Sequence, residues 1–204
     1  MSGSPERFLK REGDRLMSQP IKGTVRRGRS AEEDNALIDA LQSSEKERAE
    51  NVMIVDLVRN DLSRIAQKAT VEVTELCGIH SFQTVHQMVS TIECRLRKDK
   101  GLSDILRATF PMGSMTGAPK ISAMKHIDRI EPEGRGSYSG SIGYISPTGD
   151  FDFNVLIRSL FHNSKTEMLV ANVGGAITSL SDAHEEYEEC MLKAEAILKA
   201  VSHE

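Results

Sequence analysis

Arg7-Phe8-Leu9-Lys10-Arg11-Glu12-Gly13-Asp14-Arg15-Leu16-Met17 holds the first decision about the fold. Two short runs carrying Phe8-Leu9 and Leu16-Met17 flank Glu12-Gly13-Asp14, a turn signal, and together they predict a β-hairpin from Phe8 to Lys22. The hairpin begins almost at Met1, so its first strand has no earlier element to pair with. The expectation is that upstream sequence supplies the neighbouring strands and that the chain is a piece of something longer.

Working outward, Ser30 with Glu33 forms a capping-box pattern, and Leu37, Ile38 and Leu41 recur at helical spacing, predicting a helix over 31–42. A second helix is expected over 45–59. Val71–Val73 and Val85–Leu96 read as extended, whereas Ser103–Phe110 and Lys120–Ile130 read as helical, the latter with Pro119 in its first turn. After Tyr138 the pattern is β-rich, with runs at Ile142–Ile145, Phe151–Phe161 and Met168–Val173 separated by turn signals at Pro147–Asp150 and His162–Ser164. A three-strand meander is the expectation there. Asp182 with Glu185 opens a final helix running to about Val201. With no repeat and no composition break, an α+β fold follows, read as one domain over 1–204.

The 204 residues carry 26 Lys or Arg and 30 Asp or Glu, a net charge of −4. That balance speaks against a nucleic-acid or anionic-membrane binder, which needs a basic surface. No apolar run approaches the roughly 18 residues that span a bilayer. The start of the chain lacks a secretory pattern, so a cytoplasmic location is the expectation. Cys77, Cys94 and Cys190 are too few and too widely spaced for a disulfide framework or a zinc site, and read as reduced thiols.

Several residues have the chemistry of a site. On the final helix Tyr187, Met191, Ala194, Leu198 and Val201 form an apolar stripe expected to face a core, while Glu186, Glu189 and Lys193 share a lateral face. Glu47 and Glu50 stand three apart in the same way. Each acidic pair is either a solvated helix face or, if the two pairs met across a cleft, a set of hard oxygen ligands for Mg2+. Gly174-Gly175 is either a tight turn or a loop whose free N–H groups receive an anion. Gly113–Lys120 is a small-residue loop ahead of a helix, without the ending of a Walker loop. Lys22, in Pro20-Ile21-Lys22-Gly23-Thr24, is a surface lysine or a desolvated nucleophile. His86 reads as a packed or hydrogen-bonded histidine, or as a catalytic one.

Taken together, Ser4–Phe8, Pro20–Thr24, Glu50 with Met53–Leu62, Thr116–Lys120, Ile157–Ser159, and Gly174–Ile177 before Glu186–Glu189 resemble the chorismate-utilising enzymes in order and over nearly the whole chain. That family includes anthranilate synthase component I, aminodeoxychorismate synthase component I, and the isochorismate and salicylate synthases. Lys22 resembles the aminodeoxychorismate synthases, since the anthranilate synthases typically carry alanine in that motif. The resemblance implies antiparallel sheets packed as a sandwich flanked by helices, with the N-terminal part of the domain missing and this chain its C-terminal part. Apolar faces and strand edges are then expected to lie uncovered.

The resemblance also implies roles. Lys22 would be the nucleophile toward chorismate, Glu6 the general acid/base, and His86 a neighbour of the hydroxyl-bearing side of the ring. Glu50 and Glu189 would be the principal Mg2+ ligands, with Glu47 and Glu186 beside them or bridged by water. Thr116, Tyr138, Arg158, Gly174, Gly175 and Lys193 would hold the substrate. The implied reaction is amination of chorismate to 4-amino-4-deoxychorismate, on the route to p-aminobenzoate and folate, with ammonia from a glutamine amidotransferase partner. The alternatives are an anthranilate- or isochorismate-type synthase, and an inactive truncated chorismate-binding fragment.

Overall fold

The computed structural model describes residues 1–179 and 181–202. The expected hairpin forms from β1 (Arg7–Glu12) and β2 (Arg15–Gln19), in antiparallel register with Glu12 opposite Arg15. Neither of its outer sides is left open. β1 pairs along its other side with β7 (Phe151–Val155), and β2 pairs with β5 (Val85–Arg95). The neighbours expected from upstream sequence are supplied instead by strands that follow it in the chain.

β5 is the axis of the seven-stranded sheet. One side is lined by β4 (Glu72–Ser81). Along the other run β2 and then β3 (Ile21–Arg26), end to end, with Pro20 between them. Pro20 has no N–H to give, but its carbonyl accepts from Ser90 N–H at 3.2 Å, so the ladder carries across the junction. β6 (Ser141–Ile145) closes the opposite edge on β7, while β8 (Leu160–Asn163) and β9 (Met168–Ala171) form a separate two-stranded sheet.

Here the expected three-strand meander is corrected to four strands. Phe151–Phe161 is broken into β7 and β8, because residues 156–159 leave the large sheet. Leu156 still exchanges bonds with Ser139 and Gly140, but Arg158 takes a left-handed φ of 46° and its carbonyl turns to Gly3 N–H at 3.1 Å. A run of extended-looking residues does not reveal a left-handed turn at a non-glycine residue.

Helices cover one face of the sheet. α1 (Ala31–Ser43) is capped as expected by Ser30, whose Oγ accepts from Glu33 N–H at 3.2 Å, although the Glu33 carboxylate reaches back to Arg29 N–H at 2.7 Å. α2 (Glu45–Ser63) runs longer than its apolar pattern predicted. Ile54, Val58 and Leu62, spaced by four, make one buried stripe with Val55 beside it. That stripe meets Leu9, Leu16, Ile92, Phe151 and Val155 from the sheet and Ile105 from α3 (Leu102–Thr109) in one core. α4 (Lys120–Ile130) starts after Pro119, which sits at the cap and not in the first turn. α5 (Ala183–Val201) is capped by the Asp182 carboxylate, which accepts from His184 and Glu185 N–H groups.

The α5 stripe is the second correction. Tyr187, Met191 and Leu198, expected to face a core, are exposed. The helix turns its acidic lateral face toward α2 instead. Exposed apolar residues also line β6, at Ile142, Tyr144 and Ile145, and β9, at Met168, Leu169 and Val170. All three cysteines are free, with Cys77 and Cys94 buried. No helix among the described residues is long and apolar enough to cross a membrane.

Leu62 is fully buried at the end of the α2 stripe. Leu62→Ala is expected to lower the unfolding free energy by about 2 to 5 kcal/mol, read as a shifted urea midpoint with unchanged slope. A shift below about 1 kcal/mol would mean that α2 is not the core element described.

Candidate active site

The N-terminal turns of α2 place Glu47 and Glu50 on one side, above the start of β3. Lys22, largely buried in β3, has its Nζ 3.8 Å from Glu50 Oε2. The following residue, Gly23, has a φ of 83°, and a Cβ there would lie 2.8 Å from Leu41 Cδ1 and 3.1 Å from Glu47 Oε2. Both conformation and space demand glycine, because Glu47 crosses directly over that backbone. Lys22 and the two acids are thereby fixed by the same strand–helix contact.

The second acidic pair approaches from α5. Lys46 Nζ lies 3.3 Å from Glu186 Oε1 and ties α2 to α5. Ser181 Oγ donates to the same oxygen at 2.8 Å, and this bond is the first cause of a Glu186 pKa held below its ordinary value, against the cost of burial. Glu47 is shifted the opposite way. Burial raises it, and the charges of Glu50 and Glu189 add to the rise. Charges from α2 and from α5 thus act together on the Glu47 carboxyl.

Gly174 and Gly175 lie between this site and Tyr138. A Cβ on Gly174 would stand 3.0 Å from the Tyr138 hydroxyl, and one on Gly175 would stand 2.9 Å from Glu186 Oε2. Lys193 donates to Gly174 O at 3.0 Å and pairs with Glu189 at 2.5 Å. The lateral face of α5 is therefore not a solvated stripe: it packs the glycine loop against the carboxylates. Burial raises the Tyr138 phenol above its usual range.

Glu6 precedes β1 and is 6% exposed. Its pKa is pushed up to about 7, chiefly by burial, with Ser114 and the Lys22 charge acting in the opposite direction. A carboxyl so placed exchanges a proton near neutral pH. Lys22 pairs with Glu50 and its charge also acts on Glu6, so the one amine is coupled to both acids.

Three candidates are differently engaged. His86 is fully buried, but its Nδ1 bonds Ser81 Oγ at 2.8 Å and its Nε2 bonds Asp34 Oδ1 at 2.9 Å. Asp34 in turn holds Arg27 at 3.0 and 2.7 Å and Gly28 N–H at 2.6 Å, and the Arg27 guanidinium keeps it ionised well below the usual carboxylate range. One ring nitrogen thus serves α1 and the other the end of β4, and neither bonds any of the clustered carboxylates. The Thr116 hydroxyl donates to Met112 O and Gly113 O in its own loop. Arg158 makes no side-chain hydrogen bond or ion pair among the described residues, which leaves its guanidinium available to an anion.

Sequence reading passed over Lys46 and Ser181, and it did not join two motifs that the structure joins. Lys120 donates to Asp61 at very short range, to Pro111 O at 2.7 Å and to Thr109 O at 3.3 Å, saturating its three N–H groups. The Thr116–Lys120 loop is thereby clamped onto α2. A lysine beside a proline at a helix start carried no signal of that reach.

Hard carboxylate oxygens at Glu47, Glu50, Glu186 and Glu189, mutually repelling and part-buried, suit a hard divalent cation. No three acidic, His or Cys groups among the described residues form a ready-made cage. A cation that keeps waters and takes an anionic oxygen from its substrate needs no such cage.

Residues 1–199 match the family model described as chorismate binding enzyme. The chain is 49% identical over 201 residues to aminodeoxychorismate synthase of Streptomyces griseus, covering 98% of itself and 27% of that protein. It is 43% identical over 199 residues to aminodeoxychorismate synthase component 1 of Escherichia coli K12, covering 98% of itself and 44% of that protein. Among solved structures, anthranilate synthase component I from Streptococcus pneumoniae superposes with a TM-score of 0.80 at 38% identity, over 97% of this chain and 43% of the other. The chain therefore spans less than half the length of these relatives. The likeness bears out the α+β fold of antiparallel sheets and helices.

Glu6 generates a signed pH dependence. Below pH 4.5 it is protonated folded and unfolded; between 4.5 and about 7 the unfolded chain releases the proton that the folded chain keeps, so stability falls as pH rises. Glu6→Gln removes that loss. Relative to the wild type, the variant is expected to gain about 3 kcal/mol between those limits and nothing more above them, measured by urea unfolding across the window. A constant difference would mean that Glu6 titrates normally.

Proposed function

The chain belongs to the chorismate-binding enzymes, and from that premise we propose that it serves the Mg2+-dependent amination of chorismate to 4-amino-4-deoxychorismate, with Lys22 as nucleophile and ammonia from a glutamine amidotransferase. The observation that carries the reading is Lys22 itself: a largely buried amine paired with the Glu50 carboxylate and electrostatically coupled to Glu6.

The chemistry follows from those neighbours. Lys22 forms a bond to C2 of the ring as the 4-hydroxyl leaves, and the neutral Glu6 carboxyl supplies the proton that lets it leave as water. Ammonia then attacks C4 and the amine of Lys22 departs from C2. Arg158 takes a substrate carboxylate with its planar fork, while the glycine loop and Tyr138 form the wall against which the ring lies. Lys193 holds that loop by its bond to Gly174 O, a positioning role beside any direct contact.

Glu50 and Glu189 would hold the cation, with Glu47 and Glu186 as direct or water-bridged partners. When bound, it supplies positive charge to the ring carboxylate. Likeness to an anthranilate synthase favours a second reading, in which ammonia adds at C2 directly. The two separate at Lys22, since only the first makes a lysine–substrate bond.

Mass spectrometry of the chain with chorismate and Mg2+ is expected to show a covalent adduct that Lys22→Ala abolishes while binding persists. An adduct surviving that substitution, or anthranilate as the product, would overturn the reading. Glu50→Gln and Glu189→Gln are each expected to weaken Mg2+-dependent chorismate binding by roughly tenfold or more, on the scale known for disturbed metal sites. Unchanged calorimetric titrations in both would remove the metal assignment.

A further inference from the structure

Between the start of β1, α2 and the loop at 112–114 lies a cavity of about 20 Å3, the volume open to the centre of a water-sized sphere. Its polar lining is Glu6, Arg7, Ser18, Asp61, Thr109 and Ser114. Three of these are already occupied. Arg7 holds Asp152 at 2.9 and 3.0 Å, Thr109 Oγ1 donates to Ile105 O at 2.8 Å, and Asp61 holds Lys120. Ser114 is different, because its Oγ is buried with no partner in hydrogen-bonding geometry.

Ser114 nevertheless lies close enough to Glu6 to favour the carboxylate form. A hydroxyl and a carboxyl that sense each other without a well-formed direct bond, beside a space above the 10 to 15 Å3 or so that one water needs, have the geometry of a bridged pair. The loop cannot simply slide to close the gap, since Lys120, which follows it, holds the segment before it through Thr109 O and Pro111 O and also holds Asp61 on α2. A buried orphan hydroxyl costs about 1 to 3 kcal/mol, so an occupant that satisfies it is favoured.

We propose that this cavity binds one water-sized neutral molecule bridging Glu6 and Ser114, and that Ser114 is thereby a positioning residue for the proton that Glu6 carries. The Glu6 O–H gives its proton to the occupant's lone pair while the occupant passes one of its own protons onward. Glu6 is left as the carboxylate and the occupant is regenerated, so no further reactant is consumed. That the proton goes to a departing hydroxyl rests on the function proposed above. Water and ammonia share the required lone pair and hydrogens, and ammonia is also the nucleophile of that reaction.

The charged groups around Glu6 are Arg7 next to it on β1, Lys22 from β3, and Asp61 with Lys120 from α2 and α4. None of them is altered in the test. Carbon-13 NMR of glutamate-labelled protein, with the Glu6 signal assigned by Glu6→Gln, follows its titration over roughly pH 5 to 9. Ser114→Ala is expected to raise the midpoint by about 0.7 of a pH unit, the shift that corresponds to one lost hydrogen bond. Ser114→Gly should do the same, and far-UV circular dichroism shows whether each variant is folded. A crystal structure in sodium salt should hold a solvent peak within about 3.2 Å of both side chains.

Replacing sodium by ammonium distinguishes the occupants: a midpoint that moves with ammonium concentration identifies ammonia, one that does not identifies water, and either supports the bridge. An empty cavity, or folded Ser114 variants titrating as the wild type does, would overturn the proposal. None of these measurements needs turnover. A wild type that keeps the bridge but never aminates chorismate would count against the functional reading alone.

Discussion

α2 lies on the sheet through Ile54, Val55, Val58 and Leu62, and the rest of the site depends on that contact. A helix held by one buried stripe has its rotation about its own axis fixed, since turning it by one residue, about 100°, would expose the stripe. With rotation fixed, Glu47 and Glu50 must stand over β3 and Asp61 must face the loop that carries Lys120. The first consequence sets the carboxylates against Lys22. The second pins the 112–119 loop and with it Ser114 against Glu6. Packing energy at one end of the helix thus positions titratable groups at both of its ends.

The electrostatics then follow from crowding. Four carboxylates meet where α2 and α5 approach, with Lys22, Lys46 and Lys193 interleaved. The lysines do not neutralise the acids evenly: Glu186, bonded to Ser181 and Lys46, is held ionised, whereas Glu47 is driven toward its neutral form by burial and by its neighbours. The imbalance comes from what each carboxyl touches and not from the number of acids present.

Local structure was legible wherever one residue type has one physical use. Glu12-Gly13-Asp14 made its hairpin, Ser30 and Asp182 capped their helices, and the spacing of Glu186, Glu189 and Lys193 placed them on one face. What stayed hidden depended on partners far along the chain. β7 covers β1 across some 140 residues, the break at 156–159 follows from a carbonyl that turns to Gly3, and Lys120 finds Asp61 59 residues away. His86 shows the same limit: its sequence neighbours describe a strand, while its two hydrogen bonds are decided by α1 and the end of β4.

The exposed apolar residues complete the argument about this site. The outward stripe of α5 is on the same helix that carries Glu186 and Glu189, and β6, at one edge of the sheet, is displayed through Ile142, Tyr144 and Ile145. Edges and stripes of this kind are surfaces that proteins ordinarily cover. More than half the length of the E. coli and S. pneumoniae relatives lies outside the span they share with this chain. Whatever packs against the apolar side of α5 removes water from one side of the helix, and the charges on its other side then act through a medium of lower dielectric. Repulsion among Glu47, Glu50 and Glu189 grows in that medium, so the electrostatics of the site depend on what covers α5.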